Sequence, residues 1–309
     1  MRSQSEIREQ ITNQIVEHLK SRKTLPWRRP WNLDKNAGAP ANVVSGRNYS
    51  GINPLLTEIA SMHHGFQSKW WATFNQWKQL GGNVMRRPSH VPPGEWGTTI
   101  VFWRPVTKTE RDANGNEQEE TYFLLKTYTV FNIDQVEGDH LDHLRLGHGQ
   151  LESEEVQQRF EQADAAIDAT GADIRHGGNR AYYDMDGDFI VLPHRRQFSV
   201  PEYYETAFHE LTHWNEHSNR LDWDRSKPEN TYALGELIAE LGGCYVVGEL
   251  GLPTADNLGN HASYLKTWLN EMQDDPRFIF RAAAQAAKAS DCILSFSRKP
   301  AEEPKPAMA

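Results

Sequence analysis

The chain has 309 residues, 38% apolar and 24% charged, with 22 glycines and 16 prolines; this is an ordinary globular composition and excludes collagen-like, coiled-coil and mostly disordered classes. There is no run of about 18 apolar residues, the opening residues are polar, and Cys244 and Cys292 are the only cysteines, so a membrane span, an export signal and a disulfide framework are not expected and the chain reads as cytoplasmic. The net charge of −9 hides a division, with 17 Lys/Arg against 12 Asp/Glu in residues 1–135 and 16 against 30 in the remainder.

At roughly 100–200 residues per domain this length predicts two domains. In the first, Ile7, Ile11, Ile15 and Leu19 recur every four residues and predict a helix over 6–20, ended by Leu25-Pro26. The Pro- and Gly-rich stretch from Trp27 to Pro40 has no period and reads as a loop. Helices are predicted over 54–62 and 70–80, the second stopped by Gly81-Gly82. Residues 98–103 and 121–131 are β-branched and aromatic and predict two strands, joined into a hairpin through the turn residues 112–116. These elements describe an α+β domain over 1–135. Residues 136–152 are polar, carry His140, His143 and His148, and read as a linker.

A helix is predicted over 154–170, then short strands over 180–183 and 189–192 about Asp186-Gly187. Helices follow at 201–218, 229–250, 258–273 and 276–291, giving a mainly helical second domain over 153–298 and a disordered Pro/Glu/Lys tail over 299–309.

The sharpest motif is His209-Glu210-Leu211-Thr212-His213, an H-E-x-x-H pattern on a predicted helix. Two histidines at i and i+4 share a helical face and can reach one ion, and Glu210 between them is placed as the general base of a zinc hydrolase. An extended pattern with a third histidine fails, because position 219 is Asn219. His217 is also a poor ligand: three histidines at i, i+4 and i+8 span about 12 Å along the helix axis. Glu236 and Glu240, at i and i+4 in the next predicted helix, give a gluzincin-like arrangement with Glu236 as third ligand and Glu240 holding a histidine tautomer, although the two roles are interchangeable on spacing alone. Such a set suits zinc in a catalytic site, with manganese or another divalent ion as a substitute. The strand at 189–192 is expected to be the cleft's edge strand, and Tyr182, Tyr183, Arg220 and Tyr245 are candidate oxyanion stabilisers.

Residues 1–109 hold 15 Lys/Arg against 6 Asp/Glu and seven of the ten tryptophans. Single-stranded nucleic acid is held by cations along the phosphates and by aromatic faces on unpaired bases. The candidates interleave both types: Trp27, Arg28, Arg29, Trp31, Arg47, Tyr49, Lys69, Trp70, Trp71, Trp77, Lys78, Arg86 and Arg87. For the tryptophans core packing competes with stacking, least so for Trp27 and Trp31 in their polar loop.

Pro40-Ala41-Asn42, the stretch from Gly46 to Asn53, the stretch from Trp71 to Trp77, Leu80-Gly81-Gly82 and Val101-Phe102-Trp103 resemble the N-terminal single-stranded-DNA-binding domain of ArdC-type antirestriction proteins of conjugative plasmids. Ala181-Tyr182-Tyr183, the stretch from Ile190 to Pro193, the one from His209 to Trp214, the one from Glu236 to Gly242 and Asn260-His261-Ala262-Ser263-Tyr264 resemble that family's zincin-like metallopeptidase domain. The chain departs from the family pattern at Asn215-Glu216 and Gly235, and no primase motif accompanies the two domains. The resemblance implies a protein that binds single-stranded DNA, and double-stranded DNA as well, and shields incoming DNA from restriction during conjugation. The alternative is a DNA-associated metalloprotease that cuts a restriction-enzyme subunit or another DNA-bound protein. DNA mimicry by the acidic half is disfavoured, since its interspersed Lys/Arg read as a solvated surface.

Overall fold

The computed structural model describes residues 3–22, 25–27, 34–111, 117–223, 227, 231–254 and 262–298. They form two compact units, one drawn from the described residues within 3–27, 34–150 and 269–280, the other from those within 151–268 and 281–298. The expected tail 299–309 lies outside the described residues.

The first unit opens with α1 (Gln4–Arg22), in which the four-residue spacing buries Ile11, Ile15 and Leu19. It continues with β1 (Ala41–Asn42), α2 (Asn53–His64), β2 (Trp70–Thr73), α3 (Phe74–Gln79), β3 (Asn83–Val84), β4 (Thr98–Arg111), β5 (Glu117–Asn132) and β6 (Val136–Glu137). One sheet runs β1-β2-β5-β4, with β1 parallel to β2 and the other pairs antiparallel. The expected hairpin is its longest part, in register from Thr98↔Val130 to Arg111↔Glu117. β4 is an edge, and Asn53 at the start of α2 occupies part of it, accepting from the Val101 N–H and donating to the Val101 carbonyl, both at 2.8 Å.

Two expectations are corrected here. The segment 70–80 is not one helix: Trp70–Thr73 is a strand between β1 and β5, and only 74–79 is helical. Thr73 makes the switch, its hydroxyl accepting from the Gln76 N–H at 3.3 Å while the Gln76 side chain accepts from the Thr73 N–H at 2.9 Å. Nor are residues 136–150 a linker. β6 pairs with β3, a 3-10 turn covers Asp139–Leu144, and Leu141 is buried with Trp77 and Ile133. The polar residues that suggested a linker satisfy backbone groups instead. The buried Asp34 carboxylate accepts from the N–H groups of Gly147 at 2.7 Å and Gly149 at 3.1 Å, and Arg145 donates to the Ile133 carbonyl at 2.9 Å.

The second unit contains α4 (Ser153–Ala169), β7 (Asp173–His176), β8 (Tyr182–Asp184), β9 (Phe189–Leu192), α5 (Val200–Trp214) and α6 (Tyr232–Glu249). α7 (Ala262–Asp274) and α8 (Phe278–Ser295) complete the chain, so the whole is α+β, with a mainly helical C-terminal half. The three strands are ordered β7-β9-β8, β7 parallel and β8 antiparallel to β9. β9 is therefore central and β8 is an edge, which corrects the expectation for 189–192; β7 was not expected at all. Ile190, Leu192, Ala207, Phe208, Leu211, Val246 and Ile293 form the buried core that fixes α5 and α6. Among the described residues no helix is long and apolar enough to cross a membrane.

Candidate metal centre

α5 starts at a capping box, in which the Glu202 carboxylate accepts from the Ser199 N–H at 2.8 Å, and Pro201 follows in the first turn. α6 starts at Thr231, whose hydroxyl accepts from the Leu234 N–H at 3.3 Å. The two helices pack closely because glycines face α5. A Cβ on Gly243 would lie 3.0 Å from the backbone nitrogen of His209, and one on Gly242 would lie 2.7 Å from the Thr212 side chain.

This approach brings His209, His213 and Glu236 together, with one donor atom from each within 4.8 Å of the others. His213 Nε2 is 3.6 Å from Glu236 Oε1 and His209 Nε2 is 3.9 Å from Glu236 Oε2. These separations are too long for hydrogen bonds and match donors arranged around one shared ion, whose bonds run about 2.0–2.2 Å each. The chemistry of the set fits as well. The His213 Nδ1–H donates to Glu216 Oε1 at 2.7 Å, which leaves Nε2 as the atom turned to Glu236. Burial opposes the His213 imidazolium, but the Glu216 bond and the nearby Glu210 and Glu236 outweigh it and raise the pKa.

Spacing left Glu236 and Glu240 interchangeable; the structure separates them. Glu236 faces both histidines, whereas the buried Glu240 carboxylate lies 4.0 Å from His209 Nδ1, beyond hydrogen-bond reach. The carboxylate hydrogen-bonded to His213 is Glu216. Its place three residues past His213 was the available signal.

Glu210 is 6% exposed. Burial pushes its carboxyl up to about 7, against the pull of His213 and the Tyr183 backbone N–H, with Glu236 adding to the rise. Tyr183 belongs to β8, so the edge strand lies against the motif helix.

Two of the oxyanion candidates, Tyr183 and Arg220, share one polar cluster with Asp188. The Tyr183 hydroxyl donates to Asp188 Oδ1 at 2.9 Å and accepts from Arg220 at 3.1 Å, and Arg220 also pairs with Asp188 and stacks 3.8 Å over the Trp214 ring. Tyr182 is exposed, and burial raises the Tyr245 phenol well above its usual range. A hydroxyl absent from the candidate set lies nearer: Tyr232, one helical turn before Glu236, is 3.1 Å from the Tyr264 hydroxyl, and its pKa is raised first by that bond, then by burial and by Glu236.

Of the nucleic-acid candidates, Trp27, Trp71 and Trp77 are buried, and Trp77 donates to the Phe131 carbonyl at 2.9 Å. A ring with no open face cannot take a base, so these three leave the stacking set. Trp70 is half-buried, donating to Asn36 at 2.9 Å with Lys69 Nζ 4.8 Å from its ring centre, and Tyr49 is half-buried. Arg47, Lys78, Arg86 and Arg87 are exposed. Arg28, Arg29 and Trp31 lie outside the described residues.

A family model described as the N-terminal domain of the anti-restriction factor ArdC matches residues 5–131, and one described as a zincin-like metallopeptidase matches residues 161–285. Two Escherichia coli proteins named DNA primase TraC are 35% and 36% identical over 96% of this chain, which spans only 20% and 28% of their lengths. The uncharacterized protein y4eC of Sinorhizobium fredii is 30% identical, over 93% of this chain and 91% of its own. Crystal structures of the antirestriction protein ArdC from plasmid R388, metal-free and Mn(II)-bound, match with TM-scores of 0.71 and 0.69 at 34% and 33% identity, covering 94% of this chain and 97% of theirs.

Proposed function

The chain belongs to the ArdC family of antirestriction proteins, and we propose that it protects incoming plasmid DNA from restriction by binding it through the N-terminal unit, while the C-terminal unit holds one divalent ion. Single strands are the main target and duplex DNA a further one. The DNA-binding half is supported by the excess of cations in residues 1–109 and by the ArdC N-terminal model that covers that unit.

The observation that carries the metal half is the convergence of His209, His213 and Glu236 with Glu216 fixing the His213 tautomer. Zinc is the ion this donor set favours, and manganese, present in the R388 relative, is the substitute. A bound ion supplies Lewis acidity and lowers the pKa of water. Glu210 is the group placed to take the proton, held by the Tyr183 N–H, and the edge β8 offers backbone groups to an extended peptide.

Titration of a labelled single-stranded oligonucleotide tests the DNA-binding half. Affinity should be measurable at low salt and fall linearly in log–log form as salt rises, whereas no binding at low salt contradicts the proposal. Glu210 beside the three donors also favours a second reading, a metalloprotease that cuts a restriction-enzyme subunit. On that reading Glu210→Ala abolishes protection.

A further inference from the structure

The DNA-binding function proposed above needs an open aromatic surface, and Trp27, Trp71 and Trp77 do not supply one. Exposed rings occur instead on the hairpin of β4 and β5. The register pairs Ile100↔Tyr128, Phe102↔Lys126 and Arg104↔Leu124 place these six side chains on one face. Ile100 closes the core, packed with Phe66, Trp71 and Val130. Beyond it the same face continues outward with Tyr128, Phe102, Lys126, Arg104 and Leu124, all exposed.

Phe102 and Tyr128 meet edge to face with ring centres 5.5 Å apart, and Lys126 Nζ sits 5.1 Å from the Tyr128 ring centre. On the opposite face Val101 and Leu125 are buried, Trp103 is exposed with Arg8 of α1 5.0 Å from its ring centre, and Phe123 is exposed farther along the strand. A diagonal cross-strand aromatic pair steadies a hairpin, which explains the pair but not the charge pattern. Residues 98–107 and 123–132 contain Arg104 and Lys126 and no Asp or Glu. Flat apolar faces beside cations, on the carboxylate-free segments of two strands whose acidic residues, Glu110, Glu117, Glu119 and Glu120, lie at the turn end, complement a polyanion that carries unpaired rings.

We propose that this face is the platform for single-stranded nucleic acid, with Phe102 and Tyr128 stacking on unpaired bases and Arg104 and Lys126 meeting the adjoining phosphates. The inference rests on the DNA-binding reading and assigns it a surface that none of the tryptophan candidates occupies.

The test is fluorescence anisotropy of a labelled oligothymidylate titrated with the full chain, its Phe102→Ala/Tyr128→Ala variant and its Arg104→Ala/Lys126→Ala variant, with folding checked by circular dichroism. Loss of the two rings should weaken binding by about tenfold or more while affinity for a fully paired duplex stays the same. Loss of the two cations should flatten the slope of log K against log salt by about 1.4. A folded ring variant that binds within twofold of wild type, with an unchanged salt slope in the charge variant, overturns the platform and leaves DNA binding by the unit standing. No binding by wild type overturns both. Light scattering that shows a wild-type dimer and a monomeric ring variant of unchanged DNA affinity makes the face a contact between two copies and also overturns the proposal. If the ring variant does not fold, the charge variant decides through its salt slope.

Discussion

His213 Nδ1 and Glu216 Oε1 lie 2.7 Å apart, both side chains buried, in the first turn after the H-E-x-x-H motif. A carboxylate on the outer nitrogen of a ligating histidine fixes the ring's orientation and raises the basicity of the other nitrogen. Glu216→Ala should therefore weaken divalent-metal affinity by about 10–100-fold with the fold retained. Competition against a chromogenic chelator measures this, and an unchanged affinity would contradict the assignment.

Gly243 faces backbone, not a side chain that can swing aside. A Cβ there meets His209 N at 3.0 Å and His209 Cα at 3.3 Å. Gly243→Ala gains up to about 1 kcal/mol of helix propensity, but overpacking against a fixed backbone costs about 1–3 kcal/mol. The net expectation is a lower Tm and weakened metal binding, since α6 must retreat from α5 and carries Glu236 with it. Calorimetry with and without metal reads both, and a variant that gains stability and keeps its affinity would show that the helices are not held this close.

In the metal-free protein, Glu210 has a carboxyl pushed up from 4.5 to about 7, chiefly by burial. A raised acid favours folding fully below its unfolded value and loses that contribution as pH rises through the folded one. Metal-free wild type should therefore lose stability relative to Glu210→Gln between pH 4.5 and about 7, by on the order of 3 kcal/mol at the upper end. Urea melts of both proteins at pH 4 and pH 8 are the check, and parallel melts at the two pH values would refute it.

Asp188 carries the opposite sign. Its hydrogen bond to Arg220 is the main cause of a carboxyl held below the usual 3.8, so its contribution is present above that value and fades as pH falls through the lower folded one. Asp188 has φ 50, a left-handed conformation that Asn also tolerates, so Asp188→Asn removes the charge without new backbone strain. Tm should drop by a few degrees at pH 7, and the gap from wild type should narrow below pH 3.8. A gap independent of pH would mean that the charge is not what holds Tyr183 and Arg220 together.

Elements with a strong period were readable in advance: α1 from its isoleucines, the hairpin from its β-branched strands, and α5 from the spacing of His209 and His213. Four residues such as Trp70–Thr73 satisfy helix and strand patterns equally, and the pairing of β2 between β1 and β5 decides the outcome. β7 was hidden because Asp173, Arg175 and His176 are exposed edge residues with little apolar signal. Chain order put β9 next to the metal helix, but sheet order is set by pairing, and it puts β8 at the edge. Composition also counts a tryptophan alike in core and on surface. Trp71 and Trp77 are core, whereas Phe102 and Tyr128 are among the exposed rings.

The most direct measurement is transfer of unmodified plasmid DNA into a restricting host in the presence of wild type or Glu210→Ala, with metal content confirmed in both. Protection by DNA binding predicts that Glu210→Ala protects as well as wild type. Loss of protection in a folded, metal-loaded Glu210→Ala protein would contradict it and make hydrolysis at the His209, His213 and Glu236 centre the protective act.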